Sequence, residues 1–411
     1  MAQAVRRAEI LGFDPLANAF RADPYARYRE LDAVGPLVRT PVGLWVTTRY
    51  ELCEQVLRDP GFGHEPTYSV VWRDSPMRRH TFLTMDPPDH TRLRRLVSKA
   101  FTARLVERLR PRVEELVAEL IAEIPENEPV DLIAALAYPL PVILISELLG
   151  VPPEDRDLFK GWSNALARGL DPDFLLPLRD LTRRDQAREE FVEYFRELAA
   201  RRRAEPRDDL LSALVAVRDG GEALSEEELL ATCVLLLVAG HETTVNLIGN
   251  GSLALLRNPD QLAWFRDHPE ESAAAVEELL RYDPPVHLAL RGALEDRDVG
   301  GTTVKKGEMV ALVLGAANRD PSVFRDPDRL DLTRFAGAAR SGAARHLVFG
   351  HGIHYCLGAP LARLEGQVAL RRLFEHEVSL AETPLTYRDN LVLRGLSALP
   401  AAVGKKRWPS S

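Results

Sequence analysis

The residues best equipped for chemistry lie in one stretch, Phe349 to Gly358, which reads FGHGIHYCLG. Glycines at 350 and 352 suit backbone turns that need φ > 0. After Cys356, the run LGAPLARLEGQVALRRLFEH places apolar residues at helical spacing. Cys356 therefore sits where a loop becomes a helix. The positive end of the helix dipole and the unpaired N–H groups there favour thiolate over thiol. Such a thiolate can ligate haem iron and have its electron push tuned by backbone hydrogen bonds. Gly358 would let a flat macrocycle approach the helix. Two plainer readings stand beside this one. A lone cysteine is often a small buried hydrophobe. His351, His354 and Cys356 could also belong to a zinc site, but zinc wants four ligands, or three and a water. No second cysteine is near, and residues two apart face opposite ways in extended chain.

A second constellation is Ala239 to Thr244, AGHETT, inside a long helical pattern. Ser225 with Glu228 makes a capping box, and Asn258-Pro259 ends the helix. The centre, CVLLLVAGHETTVNLI, is apolar nearly all round, as a buried helix should be. A mid-helix glycine such as Gly240 costs about 1 kcal/mol relative to alanine. Buried Glu242, Thr243 and Thr244 need partners. The local explanation is that the threonine hydroxyls bond back to carbonyls one turn earlier. The functional explanation is a small groove: Gly240 makes room for a diatomic ligand, Thr243 hydrogen-bonds it, and Glu242 relays protons. A weaker signal is Glu278 with Arg281, three apart on one helix face before Asp283-Pro284-Pro285.

These groups need a scaffold, and 411 residues with 45% hydrophobic and 28% charged content is ample for a large core. Residues 36–50 read as a hairpin turning at Pro41–Gly43. From Arg92 the pattern is helical through most of the middle. Strand signals return near 302–313 and 386–403. The expected fold is mainly α with a small discontinuous β part, α+β. No linker or repeat interrupts it, so residues 1–403 are expected to form one domain, with 404–411 a polar tail. A net charge of −8 argues against general nucleic-acid binding. Three well-separated cysteines, Cys53, Cys233 and Cys356, fit a reducing, cytoplasmic setting. The N-terminus shows no apolar leader, and the longest apolar run, near Val234–Ala239, is too short for a bilayer. A protein outside the membrane is expected.

AGHETT, the ExxR pair and the decad, in that order from Glu242 to Cys356, resemble the cytochrome P-450 family, in its soluble bacterial form. The resemblance runs from about Asp23-Pro24-Tyr25 to the last strand. It implies the cytochrome P-450 fold and a haem-thiolate monooxygenase. Cys356 would be the axial ligand to the iron of haem b, with Ala239, Gly240, Phe349 and Gly358 beside the ring. Thr243 and Glu242 would be the alcohol and acid of the oxygen-binding helix. Glu278 and Arg281 would brace the fold with a third member, Arg319 or Arg334. His90, Arg94, Arg291 and His354 would hold the haem carboxylates; Arg suits them because its fork makes two parallel hydrogen bonds.

The resemblance also implies O2 as co-substrate and electrons that come ultimately from NAD(P)H. They would arrive through a ferredoxin or flavodoxin with its reductase. The chain has neither a flavin-binding Gly-rich turn nor the cysteines of an iron–sulfur cluster. Residues 90–112 carry eight Lys/Arg and one acid, Glu107. They read as a solvated helix face or as a docking surface for that acidic donor. The substrate would be a hydrophobic small molecule such as a fatty acid, terpene, steroid or polyketide-like compound. By resemblance it would be contacted by Val286, Leu288, Leu290 and Leu393, by the helices near 162–195, and by the loop near Phe62–Leu83. That loop carries Arg73, Arg78, Arg79 and His80, which could meet a substrate carboxylate or an acyl carrier, or simply face solvent. The expected state is a monomer. Oxidative coupling on the same haem, peroxide-driven hydroxylation and a haem-binding sensor are the other outcomes; the Glu242–Thr243 pair argues against the last two.

Overall fold

The computed structural model describes residues 17–65, 80–167, 171, 173, 176–337 and 344–406. Arg73, Arg78 and Arg79 lie outside the described residues, while His80 is half-buried at their edge.

Helices dominate. Those that position the site are α1 (Asp89–Ala100), α2 (Ala103–Ala122), α3 (Pro139–Leu148), α4 (Arg156–Ala167), α5 (Leu178–Ala204), α6 (Glu226–Arg257), α7 (Ser272–Tyr282) and α8 (Ala359–Leu373). The strands are β1 (Val38–Arg39), β2 (Trp45–Thr47), β3 (Phe62–Gly63), β4 (Pro129–Asp131), β5 (Ala289–Ala293), β6 (Arg297–Val299), β7 (Thr302–Val304), β8 (Met309–Leu312), β9 (His376–Leu380), β10 (Thr386–Tyr387), β11 (Leu396–Ala398) and β12 (Pro400–Lys406). β1, β2, β8, β5 and β3 form one sheet in that order. β1 and β2 are the expected hairpin, with Gly43 at φ 84° in its turn. The register of β3 on β5 sets Gly63 opposite Gly292, which brings His64 across from Arg291.

α6 is the axis of the molecule. Its N-terminus has the predicted capping box: Ser225 Oγ accepts from Glu228 N at 3.2 Å, and Glu228 Oε2 accepts from Ser225 N at 2.9 Å. It packs against α3, α4, α5, α7 and α8. Leu237 and Val245 are fully buried; burial of such a side chain contributes about 1.5–3 kcal/mol. Taken whole, α6 is long and apolar enough to cross a bilayer, but 72% of its apolar window is buried inside the protein. That burial makes it a core helix.

The expected tail boundary needs correction. β12 continues to Lys406, which pairs with His376 of β9, so 404–406 belong to a sheet. Their polar side chains gave no strand signal, because here the backbone ladder to β9 fixes the strand rather than a buried face.

Candidate functional site

The loop before α8 is built as its glycines demand. Gly350 and Gly352 have φ 70° and 69°, and Cys356 N donates to Phe349 O at 2.9 Å. A Cβ on Gly352 would lie 2.7 Å from Leu57 O, so only glycine fits there. The Cys356 sulfur accepts from the amides of Gly358 and Ala359, with Arg94 and Arg363 nearby. Burial nonetheless raises the thiol above its ordinary value, and these donors only partly offset that. The dipole and amides alone therefore do not make Cys356 a thiolate, as the loop-to-helix position had suggested. A Cβ on Gly358 would lie 3.9 Å from Sγ, so a side chain there would sit directly beside the sulfur.

The zinc reading fails on geometry. His351 turns toward Glu54, 3.9 Å away, while His354 stacks into another cluster. Among the described residues no three metal-binding side chains converge.

That other cluster is rich in positive and imidazole groups. His90 is 2% exposed, and neither of its ring nitrogens has a partner. Its ring lies 4.2 Å from that of His354, whose Nε2 is also unpartnered. Arg291 is buried and donates to Leu290 O. Arg94 Nη2 donates to Tyr355 O at 2.7 Å, which ties α1 to the Cys356 loop. Burial lowers His90, takes His354 down to about 3 and Arg291 to about 10. Asp86 is the nearby acid, and its carboxylate is taken up by the backbone N–H groups of His64 and Glu65. Buried polar atoms without partners are costly, and two carboxylates would satisfy this cluster. Thus all four predicted residues meet here. His64, whose ring sits 4.8 Å from that of His354, joins them and was missed. Only the β3–β5 register brings it in.

On α6, Ala239 is exposed although most of the helix is buried. Thr243, one turn later, shares that face and is half-buried. A Cβ on Gly240 would meet only Ile145, at 3.9 Å, so room exists there. Thr243 Oγ1 donates back to Ala239 O at 2.9 Å, as the local explanation held. Glu242 does not join Thr243. Its carboxylate is 2% exposed, 3.1 Å from His241 Nε2, and salt-bridged to Arg388. Burial pushes its pKa up, but His241 and Arg388 outweigh that and hold it at about 2. Arg388, which comes from the loop after β10, had no sequence signal. Thr244 bonds back to Gly240 O and lies 3.4 Å from Glu365 Oε2. Burial raises this Glu365, on α8, to about 8.

The brace is fully buried. Arg281 donates to both Glu278 oxygens at 2.7 and 2.8 Å, and to the carbonyls of Asn318, Pro327 and Arg329. The third member is Arg334, 3.1 Å from Glu278 Oε2; Arg319 instead stacks on Tyr25 and donates to Tyr282 O.

Two expectations change. Val286 and Leu393 do meet, in a β-bridge. Leu288, however, packs in a core cluster with Tyr25, Tyr28 and Leu44, and Leu290 packs against it, so these two do not face a substrate cavity. Strand alternation puts them on the face that meets the N-terminal helix Tyr25–Val34. The basic stretch is also largely neutralised. Arg92 pairs with Glu228, Arg95 and Lys99 with Asp219, Arg110 with Glu107, and Arg112 with Glu147.

The sequence profile of the family described as Cytochrome P450 matches residues 34–264 and 272–394. Cytochrome P450 107B1 of Saccharopolyspora erythraea is 44% identical over 96% of this chain and 98% of its own. Vitamin D(3) 25-hydroxylase of Pseudonocardia autotrophica is 43% identical over 96% and 97%. Among solved structures, P450BioI in complex with an acyl carrier protein ligated to hexadec-9Z-enoic acid superposes with a TM-score of 0.86. It is 38% identical over 94% of this chain and 99% of that one.

Proposed function

The chain belongs to the cytochrome P450 family and is a monooxygenase; from that premise we propose how its own residues serve the reaction. Cys356 ligates the iron of haem b. His90, Arg94, Arg291 and His354 hold the two carboxylates. The observation that carries this assignment is the buried cluster itself, in which both His90 nitrogens and His354 Nε2 are unpartnered and Arg291 is buried beside the Cys356 loop. Bound haem supplies oxygen activation and insertion of one oxygen atom into a substrate C–H or C=C bond.

The protein's part is to bind, orient and deliver protons. The exposed face of α6 at Ala239 and Thr243 forms the oxygen side of the site, and Thr243 offers its hydroxyl there. Glu242 supplies protons from the far side of α6. The substrate is a hydrophobic small molecule, positioned in part by Val286 and Leu393. Electrons come from a ferredoxin or flavodoxin with its reductase. The enzyme works as a cytoplasmic monomer, with the described residues from 17 to 406 acting as one unit.

The test is a spectrum followed by turnover. Purified, reduced protein under carbon monoxide should show the strongly red-shifted Soret band of thiolate ligation. With a surrogate ferredoxin, its reductase and NADPH, a bound hydrophobic compound should gain one oxygen atom from O2. A protein that binds haem without that band, or with it but without oxygen transfer to any ligand, would refute the proposal.

A further inference from the structure

Arg363 lies one turn into α8, just past the Cys356 loop. Its guanidinium is fixed from several sides. Nε and Nη2 donate to the two oxygens of Glu277 on α7, at 2.6 and 2.8 Å. Such a two-pronged grip fixes orientation as well as distance. His346, just before the loop, sets its Nε2 3.2 Å from the same carboxylate. Burial pushes Glu277 up, but Arg363 and His346 outweigh it and hold its carboxyl at about 2, so the pair is ionic. Most ion pairs at a protein surface add little. Here the two side chains are only 28% and 25% exposed.

The rest of the guanidinium meets both ends of the cysteine loop. Its carbon lies 4.4 Å from the centroid of the Phe349 ring, within reach of a cation–π contact. Nη1 donates to Tyr355 Oη at 3.2 Å. Phe349 and Cys356 are themselves joined by the bond from Cys356 N to Phe349 O. Tyr355, the residue before the cysteine, is also held through its carbonyl by Arg94 of α1. It is the cation of the Glu277–Arg363 pair that reaches the loop. Its charge acts on the sulfur in the same sense as that of Arg94, favouring thiolate against the burial that opposes it.

We propose that Arg363 is a positioning residue for Cys356: aimed by Glu277, it pins both ends of the cysteine loop and sets a positive charge beside the sulfur, which tempers the electron push of the thiolate and raises the reduction potential of the bound haem. This rests on the proposed ligation of iron by Cys356. A cation near a thiolate draws density away from the metal and favours the electron that reduction adds. Glu277 limits that effect, and it keeps the flat guanidinium on the Phe349 ring. The clamp and the charge are thus separable duties of one side chain.

The test reads a potential beside a spectrum. Potentiometric titration of the haem-loaded, substrate-free protein compares wild type with Arg363→Gln, Arg363→Lys and Glu277→Gln. In mild denaturant, the reduced carbon-monoxide band is followed as it converts to the less red-shifted form that marks loss of thiolate ligation. Arg363→Gln should lower the potential and speed that conversion by about tenfold, the scale of one charge-assisted hydrogen bond. Arg363→Lys keeps the charge but lacks the fork and the flat face. It should speed the conversion while leaving the potential nearer to wild type than Arg363→Gln does. Glu277→Gln frees the cation from its counter-charge and should raise the potential. A merely loosened loop would move the potentials of Arg363→Gln and Glu277→Gln the same way, so shifts of one sign would overturn the proposal. An unchanged potential in Arg363→Gln would do so too. If Arg363→Gln loses its haem, Glu277→Gln decides, and a potential equal to or below that of wild type overturns the proposal. A wild-type protein without the red-shifted band would instead remove ligation by Cys356, and the proposal with it.

Discussion

Thr244 on α6 and Glu365 on α8 lie 3.4 Å apart, hydroxyl to carboxyl, and both are buried. The contact joins the oxygen-side helix to the helix that starts from the Cys356 loop. It also sets a pH dependence. Burial raises Glu365 to about 8, whereas an unfolded glutamate titrates near ~4.3. Between those values the folded protein binds more protons than the unfolded chain, so stability falls as pH rises through that window, by up to about 1.4 kcal/mol per pH unit. Glu365→Gln keeps the shape and abolishes the titration. Denaturant unfolding from pH 5 to 8 should show a shallower loss in Glu365→Gln than in wild type. Parallel curves would show that Glu365 does not hold its proton.

Cys356 should be the only cysteine that matters to the spectrum. Cys53 and Cys233 are fully buried, and burial pushes both thiols far up. Cys356→His should abolish the red-shifted carbon-monoxide band, while Cys53→Ser and Cys233→Ser keep it. Retention of the band in Cys356→His would contradict the assignment.

The buried brace predicts a large stability effect. Arg281→Ala would leave Glu278 with Arg334 and the Asp331 amide as its partners and strip the donor from three carbonyls. Removing one partner of a buried pair costs about 3–5 kcal/mol. The midpoint of denaturant unfolding should fall accordingly, and haem should be lost more readily. Arg319→Ala, outside the triad, should keep more of the haem. Equal haem loss in both variants would contradict a special role for the triad.

What the sequence disclosed follows contact distance along the chain. The Cys356 decad is one contiguous loop whose glycines, turn and cysteine all act locally, so ten residues specify it. The α6 capping box and the polar break in its apolar centre are also local. His64, Arg388 and Glu365 reach the site through strand register, a surface loop and a facing helix. No short pattern marks such placements. The same reason explains Leu288 and Leu290: alternation identifies two strand faces but does not say which one meets the N-terminal helix. It explains the basic stretch too, since Asp219, Glu222 and Glu228, which neutralise it, lie over a hundred residues away.

That neutralisation changes where an acidic donor would find charge. Arg104 and Arg108 on α2 are exposed and form no ion pair among the described residues, whereas Arg95 and Lys99 face Asp219. Reversing Arg104 and Arg108 to Glu should slow reduction by a ferredoxin at low salt and flatten its salt dependence. Reversing Arg95 and Lys99 should mainly cost stability, about 0.2–1 kcal/mol for each exposed pair lost. Stopped-flow reduction rates measured beside unfolding curves separate the two. Slower reduction only in the second pair would move the docking site.

Thr243 presents the sharpest choice between a local and a catalytic role. Its hydroxyl donates to Ala239 O, a bond that alone would make the residue a minor helix perturbation. Yet the lone pairs of that oxygen remain available on the face shared with Ala239. If the back-bond is its whole role, Thr243→Ala should be nearly silent, because alanine is the better helix former. If the hydroxyl steadies oxygen and helps pass protons, folding, haem content and substrate binding should all survive the change. Electrons would still be consumed, but more of them would appear as hydrogen peroxide. Thr243→Ser keeps the hydroxyl and should recover most of the coupling, whereas Thr243→Val keeps the shape and should not. The measurement is product and peroxide formed per NADPH, with all four proteins compared at one substrate saturation. Equal coupling in wild type and Thr243→Ala would make Thr243 structural and shift the proton route to Thr244 and Glu365, the other alcohol and acid that meet on α6.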